Sequence, residues 1–168
     1  MYLALYRKYR PRTFDDVISQ PEIVTTLKNQ IAEGQNAHAY LFTGSRGTGK
    51  TTCAKILAMA LNCKHPAGGN PCLECESCRE IANDETTDIV ELDAASNSGV
   101  SDVHELQDQL AYTPVSCKYR VYILDEVHML STAAFNALLK IIEEPPAHLL
   151  FILATTELQK VPATILSR

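Results

Sequence analysis

Apolar residues fall along this chain in short, mostly apolar runs, and between the runs they recur at every third or fourth position. The runs at 37–43, 88–93, 119–125 and 149–155 predict four strands. Their weak alternation, plainest in Val121-Tyr122-Ile123-Leu124, suits strands covered on both faces. Helices fill the intervals. Residues 50–62 follow the first strand, and 101–112 is polar yet brings Val103, Leu106 and Leu110 onto one face. A helix opened by Ser131 as N-cap carries Phe135, Leu138, Leu139 and Ile142 until Pro145-Pro146 stops it. Ahead of them all, 21–33 reads as a helix with Pro21 in its first turn and Gly34 at its close. Strands that alternate with helices predict right-handed crossovers and an α/β fold built on a parallel sheet flanked by helices. No internal repeat or low-complexity tract interrupts the pattern.

The first strand runs into a loop with specific chemistry. Gly44-Ser45-Arg46-Gly47-Thr48-Gly49-Lys50-Thr51 has the G-x-x-x-x-G-K-T spacing, with Thr52 next in the helix that follows. The glycines admit positive φ and let backbone N–H groups close on phosphate oxygens. Lys50 adds a charge for the β- and γ-phosphates, and Thr51 offers a hydroxyl to Mg²⁺. The helix that starts here turns its positive end to the same place, so the ligand predicted is a nucleoside triphosphate. At the end of the third strand stand Asp125 and Glu126. Ligands of open α/β sheets bind at that edge, so Asp125 is expected to hold Mg²⁺, mostly through water. Glu126 is expected to orient and deprotonate an attacking water. Alone, an acidic pair at a strand end fits a solvated loop equally well; beside the glycine loop it predicts a hydrolase.

At 168 residues and 46% hydrophobic, the chain can build one sizeable core, and a single domain is expected. No apolar run reaches the length of a membrane span and the first residues lack a secretory layout, so the expected location is cytoplasmic, with no membrane partner. The net charge of -5 provides no basic field for gripping nucleic acid, so any DNA contact must be local or belong to an assembly. Arg7, Lys8, Arg10 and Arg12, interleaved with Tyr6 and Tyr9, form the one dense basic cluster. It reads as a solvated arm, a lining of the nucleotide site or a nucleic-acid contact.

One insertion breaks the alternation. Cys63, Cys72, Cys75 and Cys78 are spaced C-x8-C-x2-C-x2-C. Four thiolates complete a closed tetrahedral Zn²⁺ site, structural rather than catalytic. Two disulfides are disfavoured by a reducing compartment and by sulfurs so close in sequence; an iron–sulfur cluster is the other metal reading. His65 would be a ligand only if a cysteine dropped out. Cys53, within a helix, and Cys117, in a loop, read as plain thiols.

In this order the blocks resemble the gamma/tau family of bacterial DNA polymerase III subunits, the ATPases of the replicative clamp loader within the AAA+ superfamily. The resemblance covers essentially the full length. It rests on 9–20 (Tyr-Arg-Pro-Arg-Thr-Phe-Asp-Asp-Val-Ile-Ser-Gln), the four cysteines, and Asp125-Glu126-Val127-His128-Met129-Leu130. Asn136-Ala137-Leu138-Leu139-Lys140, Glu143-Glu144-Pro145-Pro146, Leu153-Ala154-Thr155-Thr156 and Ile165-Leu166-Ser167-Arg168 complete it.

The resemblance implies a P-loop NTPase of the AAA+, RecA-like type with a small zinc module of four cysteines inserted at 63–78, using ATP, Mg²⁺ and Zn²⁺. It implies that Arg10, Pro11, Val17 and Ile18 line the adenine pocket and that residues 44–52 and Asp125 bind the nucleotide. Lys50 and Glu126 then take catalytic roles. Thr156, with Thr155 as the second candidate, matches the sensor of the γ-phosphate. Arg168 matches the arginine finger that reaches a neighbouring subunit's ATP, which ties hydrolysis to assembly. Implied partners are the delta and delta-prime subunits, further gamma/tau copies, the sliding clamp and, through the assembly, primed DNA. The family continues into a helical lid and a collar, so 1–168 reads as an excised nucleotide-binding domain, expected to bind ATP weakly and hydrolyse it slowly alone. Two other classes compete. Against a Holliday-junction AAA+ motor stands the cysteine module; against a non-catalytic scaffold like delta-prime stand intact Gly49-Lys50-Thr51 and Asp125-Glu126.

Overall fold

The computed structural model describes residues 4–17 and 20–167. In chain order they form α1 (Leu5–Lys8), a 3₁₀ turn (Phe14–Asp16), α2 (Pro21–Glu33), β1 (Ala39–Thr43), α3 (Lys50–Asn62), α4 (Glu76–Ala82) and β2 (Ile89–Asp93). Then come α5 (Val100–Gln109), β3 (Arg120–Asp125), a 3₁₀ turn (Val127–Met129), α6 (Thr132–Glu143), β4 (Leu149–Thr155), a 3₁₀ turn (Leu158–Lys160) and α7 (Ala163–Leu166). The elements fall into two compact units, one made of residues 1–36 and 51–84, the other of 37–50 and 85–168.

The second unit is built on a four-stranded, all-parallel sheet in the order β1-β4-β3-β2. β4 is buried along its whole length and β3 from Val121 to Leu124, which is why these two sequences show no alternation. The edge strands β1 and β2 are partly exposed. Val103, Leu106 and Leu110 join Phe135, Leu138 and Ile142 in one core, so the faces expected for α5 and α6 are the faces buried. Tyr122 and Phe151 stack within it at 5.8 Å between ring centroids. Parallel register brings the strand ends to one edge, with Thr43 beside Thr155 and Asp93 beside Asp125. Just before β2, Asp88 is fully buried, and its carboxylate accepts from the amides of Val115, Ser116 and Cys117 at 2.8–2.9 Å. That one side chain fastens the loop leading into β3.

The first unit contains α1 to α4 and the cysteine segment. α2 ends at Gly34 in the left-handed conformation (φ 69°). From Cys53 to Asn62, every residue of α3 except Lys55 is buried. Within the cysteine segment, Ala67 and Asn70 exchange backbone hydrogen bonds of 3.0 and 3.1 Å across Gly68-Gly69, a tight hairpin turn. A Cβ at Gly69 would lie 2.4 Å from the Lys28 carbonyl oxygen, so only a glycine lets this turn approach α2 so closely. Asn70 then accepts from the Phe14 amide (3.0 Å) and donates to Asp15 (2.8 Å), which also receives Lys28 at 2.6 Å.

Several boundaries differ from the sequence pattern. β1, β2 and β3 begin one or two residues later than their apolar runs. α5 begins at Val100 rather than Ser101 because the Asp102 carboxylate accepts from the Gly99 amide (3.1 Å), making Gly99 the cap; it ends three residues early, at Gln109. At α6, the Ser131 hydroxyl oxygen accepts from the Ala134 amide, as an N-cap should. The short helices α4 and α7 have no counterpart in the pattern. Among the described residues no helix is long and apolar enough to cross a membrane.

Candidate functional site

β1 delivers the glycine loop. Gly44 donates to the Thr155 carbonyl (3.3 Å), which fastens the loop's start to the end of β4. Gly47 and Gly49 have φ of 83° and 86°, in the region a side chain disfavours. Lys50 opens α3 and turns back, its Nζ donating to the carbonyl oxygens of Gly44 and Ser45, both at 2.9 Å. Thr48 Oγ1 donates to Ser45 (2.8 Å) and tightens the same curve. The loop is thereby wrapped around an ammonium. Ser45, Arg46 and Gly47 are exposed at its tip, and Thr51 and Thr52 follow on the first turn of α3.

β3 delivers the acids. Asp125 ends the strand half-buried, and its Oδ1 accepts from the Glu126 amide (2.9 Å). Glu126 then leaves the strand with φ 52°, a left-handed conformation uncommon for a residue with a side chain. Its Oε2 accepts from Thr156 Oγ1 at 3.1 Å and lies 3.4 Å from His128 Nδ1. Because β4 lies between β1 and β3, Thr156 follows the strand that separates the glycine loop from the acidic pair. Thr155, the other sensor candidate, is fully buried. Its Oγ1 accepts from the Glu157 amide (3.0 Å) and sits 2.9 Å from His128 Nδ1, so it caps the strand end.

His128 and Glu157 were not singled out by sequence reasoning. His128 Nε2 lies 3.2 Å from Glu157 Oε2, and Glu157 is paired in turn with Lys160 at 2.9 Å. That ammonium is the main cause that holds the Glu157 carboxyl below its ordinary value. His128 is part of the Asp-Glu-Val-His block, but its partner comes 29 residues later on another strand's exit, and no local spacing announces it.

In the first unit, a cavity of about 460 Å³ is lined by Arg7, Arg10, Pro11, Arg12, Thr52 and Lys55, with others. Its size is in the range of small-ligand sites. Arg10 Nε donates to Thr52 Oγ1 at 3.2 Å, and Lys55 pairs with Asp84. Of the residues expected at the adenine, Arg10 and Pro11 line this cavity and Val17 does not; Ile18, like Arg168, lies outside the described residues.

The four cysteines come together. Sγ atoms of Cys63, Cys72, Cys75 and Cys78 all lie within 4.8 Å of one another, and exposed His65 is not in the group. Burial opposes the thiolate at Cys75, but hydrogen bonds from the Lys64 and Cys78 amides and from neighbouring thiols outweigh it and bring its thiol to about 6. Burial pushes the Cys63 and Cys78 thiols up. Four sulfurs around one point, none of them in a disulfide, match the donor set of a closed zinc site. Cys53 is buried in α3, and burial raises its thiol.

Comparison with known proteins adds to this geometry. A family model described as DNA polymerase III, delta subunit, matches residues 19–168. The chain is 53% identical to DNA polymerase III subunit tau of Bacillus subtilis over 99% of its own length and 30% of that protein's. It is 54% identical to DNA polymerase III subunit gamma/tau of Mycobacterium bovis over 99% of its length and 29% of that protein's. The chain thus spans under a third of these relatives. Among solved structures, the RuvB Holliday junction branch migration motor of Thermotoga maritima superposes with a TM-score of 0.62 at 22% identity, covering 95% of this chain and 46% of that one, a likeness of fold alone. The chain belongs to the DNA polymerase III, delta subunit family, and its similarity runs to the tau and gamma/tau subunits.

Proposed function

We propose that this chain is the ATP-binding and ATP-hydrolysing domain of a clamp-loader subunit of DNA polymerase III, which loads a sliding clamp onto primed DNA. The observation that carries the reading is the exit of β4 between those of β1 and β3, with the Thr156 hydroxyl donating to Glu126. In this reading Lys50 and the amides of 44–49 grip the triphosphate, Glu126 orients water and takes its proton, and Thr156 holds Glu126 while sensing the γ-phosphate. Thr51 and Asp125 would hold Mg²⁺, which neutralises charge on the phosphate oxygens when bound. Arg10, Pro11 and Thr52, which line one cavity, would receive the nucleoside; for Val17, which is not in that lining, and for Ile18 the same role rests on the family resemblance alone. Cys63, Cys72, Cys75 and Cys78 would hold Zn²⁺ as a structural clip.

Residues 1–168 act as one nucleotide-binding domain with 63–78 inserted, ahead of a helical lid and collar. Arg168 serves the ATP of a neighbouring subunit, a contribution of roughly 10³ to 10⁵ in rate. The tau and gamma/tau relatives support an assembly with delta, delta-prime and further copies in the cytoplasm. The second reading is a scaffold without turnover, like delta-prime. ATPase assays on the full-length protein in its complex, carrying Lys50→Ala or Glu126→Gln, separate the two. Normal turnover in both variants would sink the hydrolase reading.

A further inference from the structure

Glu126 has one neighbour to which the proposed hydrolysis gives no part. The His128 side chain is 6% exposed, and two groups from outside its own turn and one within it close around the ring. Nε2 faces Glu157 Oε2 at 3.2 Å; because a carboxylate only accepts, this nitrogen must carry a hydrogen. Nδ1 lies 2.9 Å from Thr155 Oγ1 and 3.4 Å from Glu126 Oε2. The anchors are themselves held. Glu157 receives Lys160 at 2.9 Å and gives its own amide to Thr155, while Thr155 is fully buried at the end of the central strand β4. Glu126, by contrast, is 31% exposed and hangs on a backbone in the left-handed region, so its direction is not fixed by the strand.

From this arrangement we infer that His128 is a positioning residue for Glu126. Glu157 and Thr155 fix the ring from β4 and the turn that follows it. The Nδ1 edge then forms a wall 3.4 Å from the Glu126 carboxylate oxygen, and Thr156 holds the same oxygen at 3.1 Å. The wedge acts on the acid's direction and not on nucleotide binding. A carboxylate free to swing spends little time aimed at water, and misplacement of about 1 Å costs on the order of a hundredfold in rate. The inference rests on the reading of Glu126 as the base.

The test uses the full-length protein in its complex, with turnover and ATP affinity measured separately. Asparagine can set its amide near the position of Nδ1, whereas glutamine reaches toward Glu157 and leaves that position empty. His128→Asn is expected to stay within about threefold of the parent kcat, while His128→Gln and His128→Ala lose at least about tenfold, with ATP Kd unchanged within about twofold. In a Glu126→Gln background, His128→Ala should add no further loss, because the two residues act as a unit. Equal kcat in the parent and His128→Ala would overturn the inference, as would equal loss in all three His128 variants. A loss that appears in Kd rather than kcat would overturn it too. Glu126→Gln alone serves as the separate control: if it turns over normally, the base assignment itself fails, whatever His128 does.

Discussion

The amide of Phe14 donates a 3.0 Å hydrogen bond to the side chain of Asn70, 56 residues further along the chain. Through this bond, and through Asn70 to Asp15 at 2.8 Å, the hairpin of the cysteine segment is tied to the turn that precedes α2. Phe14 is completely buried, so its amide has little access to replacement water. Asn70→Ala is expected to destabilise the protein by about 1–3 kcal/mol, the cost of leaving a buried donor unpaired. Urea unfolding of parent and variant measures it, and coincident midpoints would show the bond to be idle.

Asp88 leads to a prediction with a sign. Burial opposes its charge, but the amides of Val115, Ser116 and Cys117 and the Ser116 hydroxyl outweigh it and hold the carboxyl below its ordinary value of 3.8. A carboxyl depressed on folding stabilises the protein above its unfolded value, and that contribution drains away as pH falls through the folded one. Asp88→Asn should therefore cost about 1–3 kcal/mol at pH 7, with the gap to the parent closing only below pH of about 4. A gap unchanged down to pH 2 would exclude charge as its source.

Metal analysis of the purified protein should return one zinc per chain. None of the six cysteines is in a disulfide; four belong to the cluster, Cys53 is buried, and Cys117 is half-buried. A thiol reagent should accordingly modify no more than Cys117 in the zinc-bound protein, and the cluster should react only after a strong chelator is added. Helix content should fall at the same time, since Cys75 and Cys78 cap and sit in α4. Unchanged thiol reactivity on chelation would argue that no ion is held there.

Thr156→Val removes the hydroxyl that Glu126 accepts from, while keeping side-chain shape. Turnover in the assembled complex is expected to fall about tenfold to a hundredfold with ATP affinity kept, as for other lost preorganised hydrogen bonds. Thr155→Val should act through stability first, because that hydroxyl caps the strand end. If Thr155→Val were the variant that lost turnover with stability intact, the sensor role would pass to it.

The two central strands were legible because burial on both faces writes itself as an unbroken apolar run, and β4, buried throughout, matches its run from Leu149 to Thr155. Helix ends were less legible where side chains decide them, as Asp102 does at the start of α5. Seven residues at α4 and four at α7 are too few for a 3.6-residue period to show, and α4 lies under the cysteine spacing. Within the site, the readable parts are those contiguous in sequence, the glycine loop and Asp125-Glu126. The contact between His128 and Glu157 depends on which strands are neighbours, and that follows from the whole sheet. The different partners of Thr155 and Thr156 likewise depend on the strand's exit in three dimensions: one hydroxyl turns inward to the cap, the other to Glu126.

Glu126 occupies a backbone geometry that costs a side-chain-bearing residue about 1 kcal/mol or more, and a glycine would adopt it without penalty. A Glu126→Gly chain should thus melt later than its parent while losing its chemistry. On the proposed reading, durability and turnover would pull in opposite directions at this one residue. If the proposed hydrolysis holds, a descendant released from it would have a thermodynamic reason to discard this glutamate.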